Sequence, residues 1–298
     1  MTMTEYASVL QKSLDKQIVQ ESCTGWMEAN AKNVKYNGGR TIKIGKISFA
    51  GGLSDYDRDN GYTKGSAHFG YETFEMKMDR NKKLRVDRMD VDESGFIISA
   101  SEMAAEFQRT VVIPEMDAYR IMTVAKAASI SETYTVSAST LYSKLLDDIA
   151  KLRDVGVTDM VIMLSHLIGG IMDKTEKISQ NISLTEFSSG KLNTVVKSID
   201  NIPILRAPSA RMKSDFVFYP GKDEDDYGGY APADGAKSIN WIIAPRNAPI
   251  AISKTDNIKI ITPEENQLAD AWDVPYRKYH DCFVPENKRA GILVSYAG

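Results

Sequence analysis

The stretch from Phe96 to Ala128 constrains this chain most. Apolar residues recur along it at spacings of four and three, at Ala100, Ala104, Phe107, Val111, Pro114, Ala118, Ile121, Ala125 and Ala128, which is one face of an α-helix. Glu102, Glu106, Gln108, Arg109, Glu115, Asp117 and Arg120 fall on the other faces. Ser99 and Glu102 make an S-x-x-E capping box, each side chain taking up a free amide donor of the first turn. Ile98 and Met103 are placed for the hydrophobic staple over it. At the ideal rise, about 30 residues of helix reach roughly 45 Å. Pro114 removes an amide donor and crowds the carbonyl of Thr110, so the helix kinks or restarts there. The row is rich in alanine, which allows close approach to a sheet while burying little surface per residue. A rod with one slim face is a spine for other elements rather than the wall of a small-molecule pocket.

Upstream, residues 40–89 read as a long two-stranded excursion. Ile42 and Ile44 alternate with lysines on the way out. Phe74, Met76 and Met78 alternate with Glu75, Lys77 and Asp79 on the way back, the period of a strand with one polar face. Between them lies a glycine-rich charged tip, GGLSDYDRDNGYTKGSAHFG. A polar connection this long inside a compact domain is either functional or disordered. An isolated ribbon is marginal in water, so this one rests on a neighbouring surface. Residues 1–39 hold one modest amphipathic row, Tyr6, Leu10, Leu14 and Ile18, then a polar run to Asn37-Gly38-Gly39. They cannot form a core alone and are either a partly ordered terminus or a functional arm.

Beyond the spine, Leu141, Leu145, Ile149 and Leu152 mark an amphipathic helix over 140–153, with Gly156 placed for its C-terminal cap. Met160–Leu164 is a buried strand feeding a helix, and VVKSI, IPIL, FVFY and NWIIA are strands after residue 194. The end, YRKYHDCFVPENKRAGILVSY, reads as two strands around Pro285–Lys288. Helices and strands alternate without a βαβ rhythm, so the fold class is α+β.

Signals for chemistry are weak. Asp55-x-Asp57-x-Asp59 starts like a calcium loop, but its glycine is displaced to Gly61 and Ser66 stands where the bidentate glutamate belongs. The run Asp223–Asp226 reads as a solvated loop, and His68, His166 and His280 lack the paired spacing of a zinc site. There is no G-x-S-x-G elbow, no P-loop and no G-x-G-x-x-G, so no catalytic, cofactor or metal residue is assigned and the chain is expected not to be an enzyme. A net charge of −3 argues against a general nucleic-acid grip. Cys23 and Cys282 read as two reduced thiols, with a single pairing as the alternative. No run is long and apolar enough to span a membrane.

Taken in order, these parts resemble the major capsid proteins of tailed bacteriophages with the Hong Kong 97 type of fold. Gly52-Leu53-Ser54-Asp55-Tyr56-Asp57-Arg58 with Gly61-Tyr62 is similar to the tip of the family's extended loop. Phe74 to Arg80 and Val86 to Ser94 are similar to the return strand and its junction. Phe107-Gln108-Arg109 and Val112 to Arg120 resemble the spine helix of a subgroup. Tyr276-Arg277-Lys278-Tyr279 and Gly291 to Val294 resemble the closing strands of the peripheral domain. The ordered set carries the resemblance, strongest over 50–125 and weakest over 156–250.

The resemblance implies an N-terminal arm at 1–39, an extended loop at 40–89, a peripheral domain with the spine at 90–134, an axial domain at 135–265 and closing peripheral strands at 266–298. It implies hexamers and pentamers that close into an icosahedral shell around double-stranded DNA, assembled in the host cytoplasm and ending in the virion. A separate scaffolding protein, a portal and a decoration protein are the implied partners, with packaged DNA touched weakly and without sequence specificity, which the mildly acidic balance suits. Asp55, Asp57, Arg58, Arg80, Arg109 and Asp117 sit on elements that need outside partners and are the candidates for ion pairs between subunits. Ser99, Glu102 and Pro114 are the structural candidates. An encapsulin-like compartment shell is the alternative within the fold, and a free-standing α+β enzyme is the alternative outside it.

Overall fold

A computed structural model describes residues 17, 21–36, 40–59, 61–89, 100–174, 182–189, 192–222 and 227–298. The capping box at Ser99 and Glu102 and the staple at Ile98 fall wholly or partly outside these residues. So do the amphipathic row of the first 18 positions and the acidic run at 223–226.

A single-turn-rich 3-10 segment, Gly25–Asn33, leads into β1 (Val34–Tyr36). Then come β2 (Thr41–Ala50), β3 (Ser66–Glu75) and β4 (Met78–Asp87). The spine follows as α1 (Ala100–Phe107), a π-helical turn (Gln108–Val112) and α2 (Ile113–Ala127). After it come β5 (Ile130–Tyr134), α3 (Leu141–Asp154), β6 (Met160–Ser165) and α4 (His166–Lys174). The strands β7 (Ile182–Ser189), β8 (Leu192–Ile199), β9 (Ile202–Ala207), β10 (Phe216–Tyr219) and β11 (Gly229–Pro232) are next. β12 (Ile239–Pro245), β13 (Ile250–Ile258), β14 (Ala271–Phe283) and β15 (Leu293–Ala297) close the chain.

The centre is a seven-stranded sheet in the order β5-β15-β12-β6-β9-β8-β7, parallel at β5/β15 and β6/β9 and antiparallel elsewhere. Both of its faces are covered in the middle, which is why MVIML in β6 and WIIA in β12 are continuous apolar runs. Val161, Met163, Ile242 and Ala244 pack with Trp26, Met27 and the spine residues Ile121, Val124 and Ala125. Ile162, Leu164, Trp241 and Ile243 point the other way, onto Leu141, Leu145, Ile149 and Leu152 of α3. α3 ends in a Schellman motif: Gly156 takes φ +89°, its N–H reaches Arg153 O at 2.9 Å, and Val157 N–H reaches Leu152 O at 3.0 Å. The sheet draws β5, β6, β12 and β15 from all three segments that the sequence divides at 134/135 and 265/266. β14 and β15, neighbours in sequence, serve different sheets, since β14 pairs with β13 and β4.

Pro114 neither stops the helix nor restarts it as a separate rod. The backbone stays right-handed helical at Val112 and Ile113, and Ile113 N–H bonds to Gln108 O, five residues back. The wider turn just before the proline makes room for its ring, and it inserts one residue into the helical phase. The buried row therefore runs Ala104, Gln108, Ile113, Asp117, Ile121 and Val124, while Val111 is exposed. Two expectations are corrected. The spine does not keep one slim apolar face, because ten of the fifteen residues of α2 are buried. Gln108, Glu115, Asp117 and Arg120 do not lie on outer faces but inside the subunit. The excess burial comes from the 22–33 segment on one side and from the β10–β11 hairpin on another, where Ala118 and Met122 meet Phe216. Cys23 and Cys282 are both free thiols, and burial pushes that of Cys282 up to about 12.

Candidate assembly surfaces

β2 and β3 pair without a register break from Thr41↔Glu75 to Ala50↔Ser66. Opposed residues share a face, so one face of the ribbon carries Ile42, Ile44 and Phe74, and the other carries Ile47, Phe49, Phe69 and Tyr71. The first set is the root. Ile42 and Ile44 are buried with Met76, Ile250, Tyr279 and Phe283, and Phe74 lies against Phe283 at 4.9 Å between ring centroids. The root is also bolted by hydrogen bonds, Lys77 N–H to Asp281 at 2.7 Å and Tyr279 Oη–H to Met76 O at 3.1 Å. The second set is left in solvent: Ile47 is 56% exposed, Phe49 77%, Phe69 79% and Tyr71 55%. The sequence shows this as a change of parity, with apolar residues at 42 and 44 and then at 47 and 49. Because the ladder has no bulge, that change turns the apolar side from the subunit's own core to the outside.

The excursion over 40–89 is not one hairpin. β3 stops at Glu75, and after Met76 and Lys77 the chain enters β4, which pairs along ten residues with β14 in another sheet. The tip is a small ordered turn. Asp57 accepts from Asp59 N–H at 2.9 Å, Gly61 N–H donates to Asp57 O at 2.8 Å, and Gly61 supplies the positive φ of +75°. The rings of Tyr56 and Tyr62 lie tilted against each other, 5.3 Å between centroids. Among the described residues no group of three or more His, Cys, Asp or Glu could hold a metal.

Of the six charges singled out from the sequence, three lie at this tip and are exposed: Asp55, Asp57 and Arg58. The others have partners in their own subunit. Arg80 bonds Glu115 at 2.7 Å, Tyr219 O at 2.7 Å and Gly229 O at 3.0 Å, tying β4 to the spine and to the β10–β11 hairpin. Arg109 pairs with Glu106 one turn back at 2.7 Å. Asp117 is fully buried and accepts from Ser22 Oγ at 2.6 Å, Thr24 Oγ1 at 2.5 Å, the amides of Cys23 and Thr24 at 3.2 Å, and Arg211 at 2.9 Å. One turn on, buried Arg120 holds Glu28 at 2.6 Å, and that guanidinium outweighs burial to hold the Glu28 carboxyl below its usual range. Asp117 and Arg120 thus fasten the N-terminal segment to the spine. Their helical phase hides them in the sequence, because the π turn that rotates them inward has no sequence signal beyond Pro114 itself.

Between β4, the π turn and the β10–β11 hairpin lies an open cleft of about 420 Å³. Arg80, Lys82, Lys83 and Lys278 line it against two carboxylates, Asp79 and Glu115. Phe107, Val111, Tyr227 and Tyr276 provide apolar wall. His280 is buried on its floor with Nδ1 unpartnered among the described residues, and burial together with Arg120, Lys278 and Arg80 holds its pKa well below the usual histidine value.

At the level of sequence, no protein-family model and no curated protein matches this chain. Solved structures do. The capsid of cyanophage P-SCSP1u superposes with a TM-score of 0.64 at 9% identity, over 89% of this chain and 85% of that one. The mature capsid of bacteriophage PhiM1 gives 0.56 at 10% identity over 88% and 83%, and a structure from Gordonia phage Cozz gives 0.59 at 10% over 88% and 82%. The chain has the α+β fold of tailed-phage capsid proteins of the Hong Kong 97 type.

Proposed function

We propose that this chain is the major capsid protein of a tailed phage, whose copies form hexamers and pentamers and close into an icosahedral shell around double-stranded DNA. One observation carries the reading: the ribbon roots one apolar face in its own subunit and turns the other outward on a fold shared with phage capsids. A soluble chain that stayed alone would gain nothing from exposing Ile47, Phe49, Phe69 and Tyr71 in one row. In the proposed shell, residues 40–89 act as the extended loop over an adjacent subunit and residues 1–39 as an arm to a further one. The peripheral domain comprises 90–134 and 266–298, and the axial domain 135–265. Scaffolding, portal and decoration proteins are the expected partners, DNA contact is weak, and no catalytic role is assigned.

The test is expression of the full chain, alone and with the products of its neighbouring genes, followed by sedimentation and electron microscopy. Capsomers or shells are expected, with correctly sized shells only when a scaffolding protein is present. The Ile47→Lys/Phe69→Lys variant should melt within about 1 kcal/mol of the parent subunit, since exposed positions contribute little to folding, and should fail to assemble. A parent chain that remains a monomer under every condition sinks the reading.

A further inference from the structure

The ribbon tip and the basic cleft are two surfaces of one chain that the subunit itself cannot bring together. β2 and β3 stay paired for ten residues each, which carries the tip about 33 Å from the root at the usual strand rise. The root continues through Met76 and Lys77 directly into Asp79–Lys83, the border of the cleft. The tip is therefore held roughly a ribbon's length away from its own cleft, and only another copy's cleft is open to it.

The chemistry of the two surfaces matches. The tip exposes Asp55, Asp57 and Asp59 beside the Tyr56–Tyr62 ring pair. The cleft offers Lys82 at its border and aromatic wall behind it; among the described residues the Lys82 ammonium is held by the main-chain oxygen of Tyr227 at 3.0 Å, whereas Lys83 is already paired with Asp273. We propose that the tip of one copy seats in the cleft of a second copy, its carboxylates meeting Lys82 and its tyrosine pair covering Phe107, Val111 and Tyr227. The tyrosines supply apolar burial, and the charges set register and partner choice, because exposed ion pairs add little stability one by one. Tip and cleft are different patches, so the contact is heterologous and propagates around a ring or across a shell instead of ending at a dimer. This inference rests on the shell-forming reading and names the surface that receives the ribbon.

Cysteine pairing tests it in the full-length protein. An Asp55→Cys chain is mixed with a Lys82→Cys chain under assembly conditions and mildly oxidised. Covalent dimers are expected, and a ladder of multimers from the doubly substituted chain, with neither product from wild type, whose Cys282 is buried and Cys23 half-buried. A charge swap is the second arm. Lys82→Glu should lower assembly yield at limiting protein about tenfold, and adding Asp55→Lys should restore it. If wild type assembles while Asp55, Asp57 and Asp59 each fail to cross-link to position 82 and Lys82→Glu assembles normally, the docking is overturned and the shell reading stands. If wild type never assembles, the shell reading falls and takes the docking with it.

Discussion

Replacing Asp117 by alanine is the most informative single change to the subunit. Its carboxylate is fully buried and receives two hydroxyls, two amides and the Arg211 guanidinium, so five donors lose their acceptor at once. Breaking a buried charge pair by removing one partner costs about 3–5 kcal/mol. The hydroxyls of Ser22 and Thr24 recover part of their bonding from each other, since their oxygens lie 3.2 Å apart. Arg211 retains some access to water, with 19% of its side chain exposed, which keeps the expectation inside that range. At roughly 2 °C per kcal/mol for a chain of this size, the unassembled subunit should melt about 6–10 °C lower. The loss should be local as well as global. Backbone amides of residues 22–33 should exchange faster and proteases should cut there first, while α3, on the other side of the sheet, keeps its protection. Asp117→Asn keeps the shape and one acceptor and should fall between the two. An alanine variant with unchanged melting and an unchanged protease pattern at 22–33 would refute the claim that this carboxylate fastens the N-terminal segment.

Two further outcomes follow from the spine and from the cleft floor. Pro114→Ala should alter subunit stability by less than about 1 kcal/mol, because burial of Gln108 at the start of the π turn and of Ile113 just after it holds the inserted residue in place; a gain near 3 kcal/mol in thermal melting would instead mark the proline as strained within a regular helix. Acidification should destabilise the subunit from about pH 6.5 downward: His280 is held neutral in the fold, the unfolded chain takes up the proton first, and stability falls by at most about 1.4 kcal/mol per pH unit. Asp281, whose carboxyl burial pushes up, opposes this where it titrates, and His280→Gln should flatten the melting profile between pH 6.5 and 5.

The sequence speaks where one periodicity serves one purpose. Leu141, Leu145, Ile149, Leu152 and Gly156 announce α3 and its cap because a single face is buried and a single glycine must take positive φ. The apolar runs of β6 and β12 announce strands covered on both faces. The spine is harder to read. Its spacing of four and three extrapolates through Val111 and Pro114, but a π turn advances the phase by one residue, so a row that includes Gln108 and Asp117 becomes the buried one. Polarity then misleads as well, since Asp117 and Arg120 are inside only because Ser22, Thr24, Glu28 and Arg211 reach them from distant positions. The ribbon's outer face was legible in principle, as the step from 42 and 44 to 47 and 49. Its meaning depended on an unbroken ladder, which only the structure provides.

In the proposed shell, the distribution of charge suits so extended a chain to ordered assembly. A ribbon or arm that had to be immobilised on contact would lose conformational entropy at that moment, and the contact would weaken accordingly. Here the buried bonds are spent at the roots. Asp117 and Arg120 hold the segment from which the N-terminal residues depart, while Asp281, Tyr279 and Phe283 hold the base of β2 and β3. Arg80 locks β4 to Glu115 of the spine beside that same base. The ribbon thus starts from a fixed base on β14, with an apolar outer face and its charges gathered at the tip. In the proposed shell, such an arrangement would leave each inter-subunit contact individually weak and correctable, with directional precision built into the subunit rather than into the contact.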